Sequence, residues 1–334
     1  MAEFHQWADP EFRGATRQLG DFAGSPVVGV AAHTPNASFS GRTVMGMATG
    51  SQYLFGTLRT DDGQIYAPVR QFNNDVAINF MLYTGEDGKD YAYEPTSKKA
   101  HQGLVDLGER DGKWGFWRAE KQPRSLYLAD ETSGYWHERG FLDLTGVAQV
   151  GAAQVAVPDV ETPLFYLTRC FLVDSGECMG QRVRGFIFHD TMYLAPNQGW
   201  TQTRYVKELE LVWAEFATEF EDGSVHYGHL CSGAGNFAFA VIQRTDGPPV
   251  ITNQVRAEYS LDAQGFTESV SFDVGDGQWW DWTPTGDGGR MPHSPYAAGP
   301  YWREGYMRPR GDTRKITASS CWMECYAQRL GAES

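Results

Sequence analysis

Along most of this chain, apolar residues alternate with polar ones or run in short blocks bounded by glycine-containing turns, which is the pattern of β-strands. QYLFGTLRTDDGQIYAPVRQF, Gln52 to Phe72, reads as two strands around Asp61-Asp62-Gly63, a hairpin signal. After a polar break, VAINFMLYTG supplies a further strand. The second half repeats the layout. LVWAEFATEFEDGSVHYGHL, Leu211 to Leu230, turns at Glu221-Asp222-Gly223, and FAFAVIQRTDG follows. Helical periodicity is scarce, and the best segment is a short one around Ala100 to Gly108.

Further echoes keep the same order. Gly112-Lys113-Trp114 with Phe116-Trp117 returns as Gly277-Gln278-Trp279-Trp280 with Trp282, and GYWHERGF returns as PYWREGYM. All lie roughly 160 to 166 residues apart, so duplication of one structural unit is expected. The spacing predicts two β-rich units, 1–155 and 160–330, joined at GAAQVAVPDVETP. Units with this many antiparallel strands close into barrels or sandwiches, and a barrel of about eight strands holds one small ligand.

At these hairpins the chain resembles the superfamily of carotenoid hydratases (hydroxyneurosporene synthase-like proteins), which includes the lipocalin-like pericyclases and, more distantly, tocopherol cyclase. In that family the first half carries an E-W-W-Y strand before a D-G hairpin; here Gln52-Tyr53-Leu54-Phe55 stands in its place. The second half carries V-x-G-x-x-W-x-D-x-E-W. VRGFIFHDTMYL supplies Val183, Gly185, Phe188 for the Trp and Asp190 for the Asp, and Trp213 and Asp222-Gly223 follow where the next hairpin is expected. Gln52 and Met192 replace two of the family's acids, so Asp190 is the motif acid that remains. The resemblance implies an all-β fold of two tandem lipocalin-like antiparallel β-barrel or sandwich units. It also implies acid–base or shape-based catalysis on an apolar or aromatic small molecule, without metal or organic cofactor.

Composition narrows the partners. The 334 residues include 11 Trp, 16 Tyr and 19 Phe, enough to line an aromatic cavity. A formal net charge of −14 argues against nucleic acid or an anionic membrane as a partner, since both need a basic face. No stretch approaches the ~18 apolar residues of a membrane span. MAEFHQWADP has no signal-peptide pattern, and the five cysteines show no disulfide rhythm, so a reducing, cytoplasmic location is expected. CWMEC, Cys321 to Cys325, lacks the second pair that a zinc site needs. Monomer and homo-oligomer are both open. No phosphate loop precedes a helix and no G-x-S-x-G elbow occurs, so nucleotide cofactors and α/β-hydrolase chemistry are not expected.

The candidate chemistry centres on His189 and Asp190, which interrupt an apolar run. On a strand they point to opposite faces: Asp190 with Phe186, Phe188 and Met192, His189 with Gly185, Ile187 and Thr191. Asp190 is either an acid–base group whose pKa an apolar cavity raises, or a structural acid paired with Arg182 or Arg184. His189 is a second candidate, with a hydrogen-bonded structural histidine as its plainer reading. Glu215 shares a strand face with Trp213, Ala217 and Glu219, and would join Asp190 if that face points inward. His226 and His229 fall on opposite faces, so they do not share a metal, although either alone could be a base; His226 completes the catalytic candidates. Tyr53, Phe188, Trp200, Trp213, Tyr193 and Arg59 are the candidate substrate contacts, with Trp213, Tyr53 and Trp200 for cation–π stabilisation, Tyr53 and Tyr193 as pocket-lining phenols that could donate a proton, and Arg59 for an anion if it is not an exposed edge charge. The function expected is a hydratase or other lyase, an isomerase or a cyclase, with a non-catalytic carrier of a hydrophobic ligand as the alternative.

Overall fold

The computed structural model describes residues 26–32, 35–97, 103–118, 125–159, 161–292 and 301–326. The chain is almost entirely β. A first group of strands comprises β1 (Val27–Ala31), β2 (Ala48–Arg59), β3 (Gln64–Asn73), β4 (Val76–Glu86), β5 (Ala92–Tyr93), β6 (Gly103–Arg110) and β7 (Lys113–Arg118). It continues with β8 (Ser125–Ala129), β9 (Ser133–Glu138), β10 (Leu142–Val147), β11 (Ala152–Val157), β12 (Leu164–Cys178) and β13 (Gln181–Leu194). One short helix, α1 (Pro35–Phe39), lies between β1 and β2. A second group comprises β14 (Glu210–Phe220), β15 (Val225–Gly233), β16 (Ala238–Arg244), β17 (Gly247–Thr252) and β18 (Arg256–Leu261). Then follow β19 (Thr267–Asp273), β20 (Trp279–Pro284), β21 (Tyr301–Pro309) and β22 (Ile316–Cys325).

The first sheet closes on itself. Strands β2, β3, β4, β6, β7, β8, β9, β10, β12 and β13 pair in a ring, because β12 bonds to β13 and β13 to β2. Full closure removes the exposed edges that an open sheet would carry. The C-terminal half of β12 pairs with β10 and its N-terminal half with β11, which in turn pairs with β1. The second sheet is open, in the order β17-β16-β15-β14-β22-β21-β20-β19-β18.

The two expected hairpins join β2 to β3 and β14 to β15, with Gly63 (φ 89°) and Gly223 (φ 80°) in the left-handed region the turns require. The segment expected to be helical is instead β6 from Gly103 onward, since Val105 is buried while Leu104 and Asp106 are exposed; residues 100–102 lie outside the described residues. Hydrogen bonding changes sheet within residues 195–209. β12 and β13 therefore belong to the first sheet, although the sequence spacing assigns them to the second unit.

Three apolar layers result. Leu54, Leu58, Phe80, Phe116, Trp136, Phe171 and Ile187 fill the first barrel. Val212, Phe216, Ile242, Phe272, Trp280 and Trp282 fill the second, curled sheet, which places the recurrent Trp positions 280 and 282 in core. Between the sheets, Phe55, Val69, Phe186 and Phe188 pack with Trp213, Ala217, Tyr227, Phe239 and Trp322. Close backbone approach sets the β2–β13 seam. A Cβ on Gly185 (φ 156°) would lie 2.1 Å from the Thr57 carbonyl oxygen, and one on Gly56 2.1 Å from that of Phe186.

Candidate functional site: an acid pair between the sheets

Strand alternation places Phe186, Phe188, Asp190 and Met192 on the outer face of β13, in the layer between the sheets. His189 points the other way, into the first barrel, stacked on Phe39 at 5.2 Å and within 2.8 Å of the Gln52 side-chain oxygen. Burial first, and then the Arg169 charge, push its pKa down to about 3, so the imidazole is neutral. The two adjacent residues occupy separate compartments.

Glu215 reaches the same layer from β14. Its register partners are His229 on β15 and Trp322 on β22, so its face is the one turned toward the first sheet. Asp190 is 3% exposed and Glu215 0%. The Tyr166 hydroxyl donates to Asp190 Oδ2. The Thr168 hydroxyl donates to Glu215 Oε1, and Tyr227 donates to the same oxygen at 3.0 Å. Arg184 is engaged by Glu219 at 2.6 Å and Asp174 at 3.3 Å.

The protonation of the pair follows from this enclosure. Asp190 Oδ1 and Glu215 Oε2 have no donor among the surrounding groups. A proton held between the two neighbouring carboxyls would supply one, and burial of the pair favours keeping it. Burial raises the Asp190 pKa to about 7, against the pull of Thr168 and Tyr166. Burial and then the Asp190 charge raise Glu215 well above the usual carboxylate range. Near neutrality the pair therefore holds a proton between its two carboxyls, the arrangement expected when two carboxyls share one dry site.

Further groups belong to the same layer. Tyr53 is the register partner of Asp190 on β2, and its hydroxyl accepts from Gln71 at 2.7 Å. Trp200 stacks on Tyr166 at 6.0 Å with rings 14° apart. Glu324 of β22, the register partner of Trp213, is raised to about 8, chiefly by burial and in part by the charge of Asp190. Phe188 stacks on Tyr227 at 6.2 Å. The Trp213 indole donates to Nε2 of His229, which leaves Nδ1 to carry that ring's proton.

No family model matches this chain, and no curated protein matches it. Among solved structures, kievitone hydratase from Nectria haematococca aligns over 93% of this chain and 96% of its own at 11% identity and a TM-score of 0.49. CghA with Sch210972 aligns over 90% and 98% at 10% identity and a TM-score of 0.48. A candidate AttH from Nitrosomonas europaea aligns over 83% and 92% at 14% identity and a TM-score of 0.47. At such identity and TM-score they transfer no residue role to this chain.

The structure thus brings together Asp190, Glu215, Phe188, Trp213, Tyr53 and Trp200, and it separates the other candidates from them. His226 lies on the far face of β15, 3.0 Å from Asp246 and packed against Phe220 and Trp280. Tyr193 sits with Met47, Ala152 and Leu167. Arg59 is bound to Glu304 at 3.0 Å and to the Ser319 carbonyl at 2.6 Å. His229 is the possible base named in the sequence, whereas Tyr166, Thr168, Tyr227 and Glu324 were not among the sequence candidates at this site. Of these, only Glu324 had a local signal: in CWMEC the cysteines share one strand face, so Trp322 and Glu324 take the other. No helix among the described residues is long and apolar enough to cross a membrane.

Proposed function

We propose that the protein is a cofactor-independent acid–base enzyme acting on an apolar or aromatic small molecule, as a hydratase or other lyase, an isomerase or a cyclase. The observation that carries this reading is the Asp190–Glu215 pair, two neighbouring carboxyls buried among aromatic rings, with Tyr166 donating to one and Thr168 and Tyr227 to the other. In hydration, the Glu215 carboxyl gives its proton to an alkene carbon, water adds to the resulting cation, and Asp190 takes the proton that the water loses. Proton transfer from Asp190 back to Glu215 through their hydrogen bond restores the pair. The reverse sequence eliminates water. Trp200, Trp213 and Tyr227 present π-faces suited to a developing cation, and burial strengthens every charge interaction in the step.

The test is turnover on a panel of terpenoid, carotenoid and phenolic substrates, followed by Asp190→Asn and Glu215→Gln on any substrate converted. Each variant should lower kcat by about 10²-fold or more with substrate affinity nearly unchanged. Unchanged kcat in both would remove the pair from the mechanism. Micromolar binding without turnover by the wild type would instead make the protein a carrier.

A further inference from the structure

Arg169 is explained neither by the barrel's packing nor by the acid pair. It projects from β12 into the first barrel, beside its register partner His189. The residue is 5% exposed. Its Nη2 donates to the Glu131 carbonyl, while Nε and Nη1 have no acceptor. The barrel's other buried arginine is treated quite differently: Arg70 meets Glu138 at 2.9 Å, both fully enclosed. Among the described residues no carboxylate pairs with Arg169. Asp130 acts on it only through space and is itself held by Lys113, Thr132 and Ser133. An arginine cannot shed its proton, and an enclosed cation without a counterion is strongly disfavoured.

The surroundings supply the rest of a site. The Tyr127 hydroxyl is fully buried, has no partner and feels the Arg169 charge. Neutral His189 adds no competing charge. Phe171 lies 5.4 Å from the guanidinium, and Phe39 lies 6.0 Å from the Tyr127 ring. A surface opening of about 390 Å³, lined by Pro35, Trp114, Glu131 and Thr132 among others, lies outside the enclosed Arg169 and Tyr127, which are not in its wall. Glu131 both borders that opening and supplies the carbonyl that Arg169 contacts.

We propose that the first barrel binds a small aromatic carboxylate, held by Arg169 and the Tyr127 hydroxyl and entering past Trp114 and Glu131. One positive charge matches one carboxylate. Asp130 and Glu131 near the entrance disfavour a dianion such as phosphate, and the aromatic side chains suit a ring. This site lies on the opposite face of β12 and β13 from the acid pair.

Benzoate is the probe, titrated calorimetrically into the full chain beside benzyl alcohol and inorganic phosphate. Benzoate should bind with one-to-one stoichiometry, and benzyl alcohol about tenfold or more weakly, the loss of a charge-assisted hydrogen bond. Arg169→Met should weaken benzoate by a similar factor and abolish the benzoate-dependent rise in Tm, while Tm without benzoate is unchanged or higher. Tyr127→Phe should weaken it about threefold or more with the fold intact. Asp190→Asn should leave benzoate affinity unchanged, which separates this site from the proposed catalysis. Absence of benzoate binding, equal affinity in wild type and Arg169→Met, or a preference for phosphate would overturn the proposal. If Arg169→Met does not fold, unchanged benzoate affinity in Tyr127→Phe overturns it.

Discussion

Asp190 of β13 and Glu215 of β14 meet across the layer between the two sheets, and each keeps one oxygen without a donor, which a shared proton would satisfy. Neither residue's own strand could hold that proton alone. The pair is a product of how the sheets pack.

This relationship sets a pH dependence of stability. In the unfolded chain both groups lose their protons near ordinary carboxylate values, whereas burial holds both well above those values in the folded protein, Asp190 to about 7. The folded state binds more protons in that window, so stability should fall as pH rises from about 4 through 7 and beyond. Glu215→Gln, which keeps the hydrogen bonds without the charge, should flatten this slope and raise Tm at pH 8 by about 2–4 °C. Thermal melts of both proteins from pH 5 to 9 check it, and parallel slopes would contradict the assignment. An infrared carbonyl band of a protonated carboxyl at pH 7, lost in Glu215→Gln, would give the direct signature.

Arg59 joins the sheets through Glu304, which is fully buried and also accepts from Thr57 at 3.0 Å. Burial raises Glu304 to about 7 even with the arginine present. Arg59→Met strands that acid and should cost about 2–4 kcal/mol, with Arg59 itself partly exposed and so contributing less than an enclosed partner. Adding Glu304→Leu should recover most of the loss. A double-mutant cycle by urea unfolding measures the coupling.

Gly185 permits the β2–β13 seam. Alanine there would place its Cβ 2.1 Å from a carbonyl oxygen at a φ of 156°. Gly185→Ala should destabilise by about 3 kcal/mol or more and displace the strand that carries Asp190. Loss of near-ultraviolet circular dichroism at a temperature where the wild type is folded would show it.

His226 is structural by placement, enclosed in the second sheet's core with Asp246 at 3.0 Å. His226→Gln should lower stability by about 1–3 kcal/mol and leave the kinetics of any converted substrate within about twofold. A large loss of kcat would return this residue to the site.

The parity of VRGFIFHDTMYL was readable in the sequence because a strand's period of two leaves adjacent residues no choice of face. The orientation of Glu215 was not readable. Every residue of β14 is buried, so no exposed polar face marks which side looks outward. Tyr166, Thr168 and Tyr227 escaped notice for a related reason: each joins the acids through packing between strands far apart in sequence, which no local pattern records. The hairpins were legible from their turn residues. The change of sheet within 195–209 was not, because it depends on β12 dividing its edge between β10 and β11.

β13 is a party wall with different tenants on its two sides. His189 and Arg169's surroundings belong to one, Asp190 and Phe188 to the other. Substitutions facing one compartment can drift without disturbing its neighbour, so two ligand preferences could evolve on a single strand. A one-residue insertion or deletion has no such freedom, since it would exchange the imidazole and the carboxyl across the wall at once.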